Sequence, residues 1–283
     1  LLMKGKIDLH THSVRSDGTL TPTELALLAA KTGLSAVALT DHDTTEGTAE
    51  FIKECGRLGI EGIAGVEIGA RFRRELHIVG LYVGGSELED MLSKLRDGRR
   101  ERNIRMAEKL TDGGYDISAE DICDGRPEED IKNLGRVHIA NALVRKGYIG
   151  SVNEAFDRMI GKDKPYYVSR FTLSPEECVE LIKRSGGVAV WAHPVYAVSS
   201  EQEMRELAER LMAAGLDAME CLYSRYSETE TEMCMRVAGE TGLLVSGGSD
   251  FHGANKPDVK LGCVSGGYVP YEILEKLKDR IGE

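Results

Sequence analysis

The sequence SAVALT at residues 35–40 predicts a buried strand, and the segments on both sides of it decide the fold class. An amphipathic helix is predicted at residues 22–33 before it, and a second helix at residues 45–58 after it. Further strands are predicted at residues 6–10 and 63–68, outside the two helices. Strands that alternate with helices are typical of parallel βα units, so we expect an α/β protein.

The same alternation continues along most of the chain. Further strands are predicted at residues 76–83, 188–192, 218–222 and 243–246, and further helices begin near residues 174, 201, 228 and 271. Seven predicted strands fit either an open doubly wound sheet or a closed barrel. No Gly-x-Gly-x-x-Gly turn follows the first strand and the sequence has no Walker-type loop, so the nucleotide-binding open sheet is disfavoured.

Residues 86–164 interrupt this alternation with a segment that is mostly helical in pattern and much more charged. The segment opens near RDGRRER at residues 96–102 and closes with GKDKP at residues 161–165. Such a shift in composition predicts an inserted helical subdomain. The barrel domain would then consist of residues 1–85 and 165–283.

The composition limits the classes of function and the location. A net charge of −11 argues against a protein that coats nucleic acid through a broad basic surface. No apolar run reaches the ~20 residues that a membrane helix needs, and residues 1–6 are too short for a signal peptide. The six cysteines form no Cys-x-x-Cys pair, so neither a zinc–thiolate site nor a redox motif is expected. We therefore expect a cytoplasmic protein with reduced cysteines.

Histidines gather where the predicted strands end. His10 and His12 are two residues apart at the end of the first strand, so both rings face the same way and suit a single metal. Function in parallel βα folds collects at the carboxyl ends of strands. Of the seven histidines, only His138 lies away from such ends. The others are His10, His12, His42, His77, His193 and His252.

Three carboxylates accompany these histidines: Asp17, Glu67 and Asp250. Glu67 lies inside an apolar strand, where an unpaired carboxylate would be costly, so it is the best candidate for a bridge between metals. Taken singly, Asp17 also fits a turn and His77 a buried core histidine. Imidazole and carboxylate ligands without thiolate suit zinc, manganese or ferrous iron, and nine side chains suffice for two or three ions.

Two more carboxylates, Asp41 and Asp43, flank His42 at the end of the second strand. Either could cap the helix that follows. We expect instead that they orient an imidazole ligand without binding the metal themselves, because histidine ligands usually donate their second ring N–H to a neighbouring acceptor.

Five short motifs contain these residues: IDLHTHS at 7–13 with Asp17-Gly18, TDHD at 40–43, GVE at 65–67, AHP at 192–194 and SDFH at 249–252. Together they resemble the PHP (polymerase and histidinol phosphatase) family. The resemblance implies a distorted seven-stranded (β/α)7 barrel, the PHP fold, with a trinuclear metal centre at its carboxyl-end face. The three implied ligand sets are His10, His12, Glu67 and Asp250; Glu67, His77 and His193; and Asp17, His42 and His252.

Within that family, pieces of the insert resemble nucleoside 3′,5′-bisphosphate phosphatases and the related 5′-to-3′ exoribonuclease. These pieces are Gly98-Arg99 with Arg102, RVHIA at 136–140 and KPYYVS at 164–169. The implied activity is hydrolysis of a phosphomonoester, either the 3′-phosphate of a nucleoside 3′,5′-bisphosphate or the 5′ end of a short RNA. A hydroxide that bridges two metals at Glu67 would attack phosphorus, and His193 or His252 would help to protonate the leaving oxygen. The sequence VYA at 195–197 departs from the glycine-basic sequence of relatives, which weakens any expectation of substrate contacts there.

A second phosphate of such a substrate would need cations away from the metals, and arginine has forked donors that suit this task. The alternative is that residues 99–105 form one solvated helix face. The candidates for binding the second phosphate are Arg99, Arg102, Arg136, His138 and Lys164.

Other functions remain open on the sequence alone. The substrate could be another small metabolite such as histidinol phosphate, or the centre could stabilise a binding module without catalysis. A cyclic-amide hydrolase is less suitable, because such sites usually bridge their metals with a lysine and no lysine lies at a predicted strand end. The expected partner is a small phosphorylated molecule, a nucleotide or a short RNA end, with no DNA-coating surface and no membrane.

Overall fold

The computed structural model describes residues 5–282 and divides the chain into two compact units. The first unit contains the chain up to Asp90 and again from Leu173, and the second unit is Met91–Thr172. These limits lie a few residues further along the chain than the predicted insert at 86–164. The amino-terminal segment of residues 1–6, considered above as a signal peptide, lies mostly outside the described residues.

A single sheet of eight strands runs through the described part of the first unit. The strands are β1 (Lys6–Asp8), β2 (Ala36–Leu39), β3 (Glu61–Gly69), β4 (His77–Leu81), β5 (Val188–Ala192), β6 (Ala218–Tyr223), β7 (Leu244–Gly248) and β8 (Val269–Pro270). Their spatial order is β7-β6-β5-β4-β3-β2-β1-β8. Neighbours pair in parallel, except that β4 is antiparallel to both β3 and β5, and β8 is antiparallel to β1.

Contacts between β1 and β7 nearly close this sheet into a barrel. Leu9 N donates to Gly247 O at 3.3 Å, and Asp250 N donates to His10 O at 2.8 Å. Gly248 permits the close approach, because a Cβ at this position would lie 2.4 Å from the Cβ of His10. The nearly closed barrel agrees with the predicted barrel and not with an open doubly wound sheet.

The strand β4 is an exception to the parallel pairing that alternating strands and helices predict. Only a short connection separates β3 from β4, and Ala70 N donates to Leu76 O across it at 2.9 Å. So short a connection cannot hold the crossover that joins two parallel strands. The strand β8 was not predicted, because its two residues are too few to show a period in the sequence.

The helices agree closely with the sequence pattern. In chain order they are α1 (Pro22–Lys31), α2 (Thr48–Leu58), α3 (Ser86–Asp112), α4 (Ala119–Cys123), α5 (Arg136–Arg145), α6 (Val152–Ala155), α7 (Pro175–Arg184), α8 (Glu201–Ala213), α9 (Glu228–Thr241) and α10 (Tyr271–Lys278). Several begin at a serine or threonine whose side chain accepts the hydrogen bond of an early backbone N–H, as at Thr21 and Ser174. None of the helices in residues 5–282 is long and apolar enough to span a bilayer.

Alternating side chains of the strands form two apolar layers in the first unit. In β2, Ala36 and Ala38 belong to a cluster of strand residues that also includes Leu274 and Leu277 of α10. Val37 and Leu39, which point the other way, pack in a second cluster with residues of α1 and α2 such as Phe51. Successive side chains of a strand point to opposite faces of the sheet. Because both faces of β2 are covered, its sequence is a continuous apolar run.

The second unit is built from helices, with no strand among its described residues. Its core lies between α3, α4 and α5. Residues that are almost fully buried there include Met106, Leu110, Ile122, Ile139 and Leu143. The second unit therefore has its own hydrophobic core, which is a usual property of a separate subdomain.

Glu61 at the start of β3 joins three elements at the end of the barrel opposite to the histidines. Its carboxylate accepts hydrogen bonds from Tyr82 at 2.9 Å, from Tyr271 at 2.6 Å and from Lys278 at 2.9 Å. Burial alone would raise the pKa of this carboxyl, but the bonds from Lys278 and the two tyrosines hold it below its ordinary value.

We expect the variant Glu61→Gln to be less stable than the parent protein at neutral pH by about 0.5–1 kcal/mol, because the pair with Lys278 is partly exposed and screened by water. The folded-state pKa is lowered, so this stabilisation is present above the ordinary pKa and is lost as the pH falls through the folded-state pKa. Urea unfolding of both proteins between pH 7 and pH 3 measures this. A difference that grows on acidification would contradict the assignment.

Candidate metal centre

The predicted ligand residues lie together at one end of the barrel. They are His10, His12 and Asp17 after β1, His42 after β2, Glu67 within β3, His77 at the start of β4, His193 after β5, and Asp250 and His252 after β7. Each has a ligand atom within 4.8 Å of those of at least two others. The structure therefore brings all nine predicted side chains into one cluster, as expected for the carboxyl ends of barrel strands.

His77 reaches the cluster because β4 runs against its neighbours. The amino end of an antiparallel strand lies beside the carboxyl ends of the strands next to it. His77 accordingly pairs with Gly69 at the end of β3 and with Ala192 at the end of β5. A parallel β4 would have placed its first residue at the other end of the barrel.

Glu67 lies at the middle of the cluster and is almost fully buried. Its Oε1 is 2.7 Å from His77 Nδ1 and 3.1 Å from His193 Nε2. Its other oxygen, Oε2, faces three more rings: His10 Nε2 at 3.3 Å, His12 Nε2 at 3.2 Å and His42 Nδ1 at 3.2 Å. One carboxylate thus contacts histidines from several strands, with a different group on each oxygen.

The two aspartates lie on the side of the cluster formed by β1 and β7. Asp250 Oδ1 is 3.3 Å from His12 Nε2 and 3.6 Å from His10 Nε2. Asp17 Oδ1 is 3.1 Å from His252 Nε2, and Asp17 Oδ2 is 3.6 Å from His42 Nε2. Asp250 Oδ1 and both oxygens of Asp17 therefore face imidazole nitrogens.

Three residues that hold this cluster in place were not selected from the sequence. Tyr223 and Lys256 both donate to Asp250 Oδ2, at 2.7 Å and 2.5 Å, which leaves Oδ1 directed at the histidines. Glu220 contacts the ring of His10, with Oε1 at 3.0 Å from Nδ1. The signal that singled out Glu67, a carboxylate within an apolar strand, is also present at Glu220. Tyr223 and Lys256 carry no such signal.

The two aspartates beside His42 differ in their surroundings. Asp41 accepts hydrogen bonds from Ser13 N at 2.8 Å and from the hydroxyls of Ser13 and Ser16 at 2.6 Å. It therefore orders the loop that carries Asp17, because its oxygens are taken by this loop and not by a ring. Asp43 has a left-handed backbone with φ 55°, and its N–H donates to Glu67 O at 3.0 Å.

Burial and charge act against each other in the cluster. Burial would raise the pKa of the Glu67 carboxyl, but the surrounding imidazoles hold that pKa well below its ordinary value. For His12, burial would lower the pKa, yet Asp250 and Glu67 raise it to about 9. For His42 burial prevails and lowers the pKa to about 3. The carboxylates are thus anionic, and the cluster favours positive charge, which metal ions supply as well as protons do.

Buried polar atoms without partners indicate that the cluster suits metal ions. Among residues 5–282, four ring nitrogens and one carboxylate oxygen of the cluster are buried without a hydrogen-bond partner. They are His10 Nε2, His12 Nδ1, His12 Nε2, His193 Nδ1 and Asp250 Oδ1. Such atoms are rare in folded proteins unless an unseen ligand satisfies them.

Four sets of ligand atoms are close enough together to hold an ion each. The sets are His12, Asp17, His42 and His252; His10, His12, Glu67 and Asp250; His42, Glu67 and His77; and Glu75, His77 and His193. Glu75 is exposed and was not predicted. Imidazole nitrogen and carboxylate oxygen are the donors that zinc, manganese and iron take in proteins, so the residues fit such ions.

The predicted phosphate-binding arginines lie in the second unit. Arg99 and Arg102 on α3 are both buried, with only 7% and 6% of their surface exposed. Burial, and then the charges of Arg99, Arg170 and Arg136, hold the pKa of Arg102 well below its ordinary value. A solvated helix face does not describe Arg99 and Arg102, since both side chains are inside the protein. Arg170 was not predicted, although it follows the KPYYVS motif directly.

The remaining predicted contacts of this group differ in their surroundings. His138 is buried on α5, and its Nδ1 accepts the N–H of Gly135 at 3.1 Å. Arg136 lies over the rings of Phe156 and Tyr167, at 5.3 Å and 5.5 Å from their centroids. Lys164 is exposed in the turn after residue 160. The arginines therefore form a cluster, whereas Lys164 is a surface residue.

The fold and the cluster together define a class of enzyme. A crystal structure described as a metal-dependent phosphoesterase from Bifidobacterium adolescentis has a TM-score of 0.84 and 31% identity, and the alignment covers 98% of this chain and 96% of that one. A structure described as an amidohydrolase from Chromobacterium violaceum, with bound sulfate and no metal, has a TM-score of 0.86 and 33% identity over 98% of this chain and 97% of that one. The protein is a metal-dependent phosphoesterase.

Sequence relatives give the family. The PHP domain family matches residues 8–256, and the chain belongs to it. A protein of Chromobacterium violaceum named 3′,5′-nucleoside bisphosphate phosphatase is 38% identical over 258 residues, which cover 87% of each chain. A 5′-3′ exoribonuclease of Haemophilus influenzae is 34% identical over 257 residues, which cover 88% of this chain and 91% of that protein. The resemblance inferred from the motifs is thereby confirmed.

Proposed function

We propose that the nine clustered side chains bind two or three divalent cations, for which manganese, zinc and ferrous iron are suitable. The observation that carries this proposal is Glu67, whose two oxygens face different histidines. A carboxylate placed in this way can join two cations. When bound, the cations would supply positive charge to a phosphoryl oxygen and lower the pKa of a water to ~7, so that phosphoesters are hydrolysed at neutral pH.

The arginine cluster of the second unit is proposed to bind a second anionic group of the substrate. Three other guanidinium groups lie near enough to Arg102 for their charges to act on it: those of Arg99, Arg136 and Arg170. Arg102 is buried, and its Nε has no hydrogen-bond partner among residues 5–282. A phosphate would satisfy this donor and offset the repulsion, and its oxygens match the forked donors of arginine.

A substrate with two phosphates offers one ester for hydrolysis and one anion for recognition. In a nucleoside 3′,5′-bisphosphate the hydrolysed 3′-phosphate is a monoester, whereas in a 5′-phosphorylated RNA the hydrolysed ester is the phosphodiester after the first nucleotide. In both molecules the 5′-phosphate is the second anion. Two relatives are named 3′,5′-nucleoside bisphosphate phosphatase and 5′-3′ exoribonuclease, which fit these two kinds of molecule. The proposed reaction is therefore release of the 3′-phosphate from a nucleoside 3′,5′-bisphosphate, or cleavage at the 5′-phosphorylated end of a short RNA.

The test is phosphate or nucleotide release from a matched panel by the metal-loaded protein. The panel contains a nucleoside 3′,5′-bisphosphate, the 3′-monophosphate of the same nucleoside, a 5′-phosphorylated short RNA and histidinol phosphate. A charge-assisted hydrogen bond contributes about 1.5–3 kcal/mol, so we expect kcat/KM to be roughly 10–100-fold higher for the bisphosphate than for the monophosphate. Preference for histidinol phosphate would overturn the nucleotide assignment and leave the phosphoesterase intact.

The variant Arg102→Gln tests the second anion. We expect it to raise KM for the bisphosphate by roughly 10–100-fold, because a desolvated charged donor is lost, and to leave kcat for a substrate with one phosphate unchanged. Arg105→Gln is the matched control, since Arg105 is on the same helix but is exposed and pairs with Glu101. Equal losses with both classes of substrate would show that Arg102 supports the fold and does not bind phosphate.

A further inference from the structure

Glu220 on β6 contacts ligand residues that come from two different strands. It is buried, with 3% of its surface exposed. Its Oε1 lies 3.0 Å from Nδ1 of His10, which follows β1, and its Oε2 accepts the backbone N–H of His193, which follows β5, at 2.7 Å. The two oxygens of one carboxylate thus hold two of the residues that surround Glu67.

The contact with His10 fixes which ring nitrogen carries the proton. A carboxylate only accepts hydrogen bonds, so Nδ1 of His10 must donate to it. In the neutral ring, which is the form that binds a metal, Nε2 then has a free lone pair. This atom lies 3.3 Å from Glu67 Oε2 and 3.6 Å from Asp250 Oδ1. Nε2 is also one of the buried atoms without a hydrogen-bond partner within the described residues. Glu220 therefore directs a neutral nitrogen donor into the cluster.

The contact with His193 fixes a backbone conformation that the residue would not adopt unaided. His193 has φ 31° and ψ 56°, in the left-handed region that residues with a side chain rarely occupy. Strained conformations of this kind persist only where the surroundings hold them, and they are common at functional sites. The N–H of His193 is held by Glu220, and the ring of His193 in turn lies 3.1 Å from Glu67 Oε1.

We infer that Glu220 is a positioning residue of the metal centre, which orients the ring of His10 and the backbone of His193 so that both can ligate. The inference rests on the proposed metal ligands and is independent of the identity of the substrate. Carboxylates that orient histidine ligands commonly change metal affinity by about 10–100-fold. We expect replacement of Glu220 to change the metal affinity of this protein by a similar factor.

The variant Glu220→Gln is suited to the test because it keeps the size of the side chain. An amide has an acceptor at one end and a donor at the other. If its oxygen accepts from His193 N–H, its NH2 group faces Nδ1 of His10 and forces the proton of that ring onto Nε2. If its oxygen accepts from His10, its NH2 group faces the N–H of His193. A glutamine therefore cannot make both contacts.

Asp217 provides a matched control just before β6. Its carboxylate also accepts a backbone N–H of β5, that of Ala189 at 2.8 Å, and it pairs with Lys183 at 2.9 Å. It lies at the other end of β5 from the cluster. Asp217→Asn removes a largely buried charge from the same pair of strands without touching a ligand residue.

The experiment measures Mn²⁺ binding to the metal-free protein by calorimetry, and the melting temperature of each metal-free variant. We expect Glu220→Gln to weaken Mn²⁺ binding about 10–100-fold while its metal-free form stays folded, and Asp217→Asn to bind Mn²⁺ as the parent does. Unchanged affinity in Glu220→Gln would overturn the inference. So would equal loss of affinity in Asp217→Asn, or unfolding of metal-free Glu220→Gln where metal-free Asp217→Asn is folded. No substrate is present, so failure of the nucleotide proposal does not alter the result.

Discussion

Replacing Glu67 with glutamine is expected to lower kcat by about 10³-fold or more, because several kcal/mol of charge stabilisation in the transition state depend on metals in the correct place. Glu67 contacts the rings of five histidines, with Oε1 and Oε2 directed at different rings. The amide of glutamine has one acceptor oxygen and no charge. The glutamine can therefore not ligate a cation with each end of its side chain. We expect the amount of bound metal, measured by elemental analysis, to fall together with kcat.

The control for this variant is Glu61→Gln in the same strand. Glu61 lies at the opposite end of β3, where its partners are Tyr82, Tyr271 and Lys278. We expect this variant to keep the metal content and the kcat of the parent, since its effect is confined to stability. Full activity and full metal content in Glu67→Gln would remove the central argument for the metal centre.

Removal of the metals is the second change with a large expected effect. After dialysis against a chelator, we expect phosphoesterase activity to be abolished and the melting temperature to fall. Ligands at 100 times their Kd stabilise a folded protein by about 2.7 kcal/mol, which corresponds to roughly 5–10 °C for a protein of this size. We expect the melting temperature to fall because buried atoms of the cluster, among them His10 Nε2 and Asp250 Oδ1, have no hydrogen-bond partner within the described residues when the metals are removed.

Restoration separates metal loss from damage to the protein. Addition of Mn²⁺ to the dialysed protein should restore both activity and melting temperature, whereas Mg²⁺, which prefers oxygen ligands, should restore much less. Activity that survives complete removal of transition metals, checked by elemental analysis, would contradict the mechanism. A melting temperature unaffected by Mn²⁺ would contradict the assignment of the cluster as its binding site.

Much of the fold and the cluster could be predicted because local patterns carry the information. Apolar runs such as residues 35–40 predict strands from their composition, and serine or threonine caps such as Ser174 predict where helices begin. Histidines at strand ends, and Glu67 within an apolar strand, predict the cluster, because function gathers at one end of a βα barrel. These signals are short in range and need no knowledge of which strands are neighbours.

The supporting contacts could not be predicted in the same way, whereas the direction of β4 could have been. The predicted strands at residues 63–68 and 76–83 leave a connection too short for the crossover that joins two parallel strands. Tyr223 and Lys256 matter only because they meet Asp250, a contact that depends on how β6 and the segment after β7 lie in space. Glu220 could have been found, since a carboxylate in a buried strand is as unusual there as at Glu67.

The closure of the barrel between β1 and β7 also determines when the centre can be completed during folding. His10 and Asp250 come from nearly opposite ends of the sequence and are joined by a backbone hydrogen bond of 2.8 Å. The entropy lost in closing so long a loop must be overcome before this contact contributes, so closure is a slow step. On the ribosome, the histidines after β1 and β2 emerge long before Asp250 and His252. A nascent chain therefore holds an incomplete ligand set until β7, and the segment after it that contains Asp250 and His252, have been synthesised and have docked.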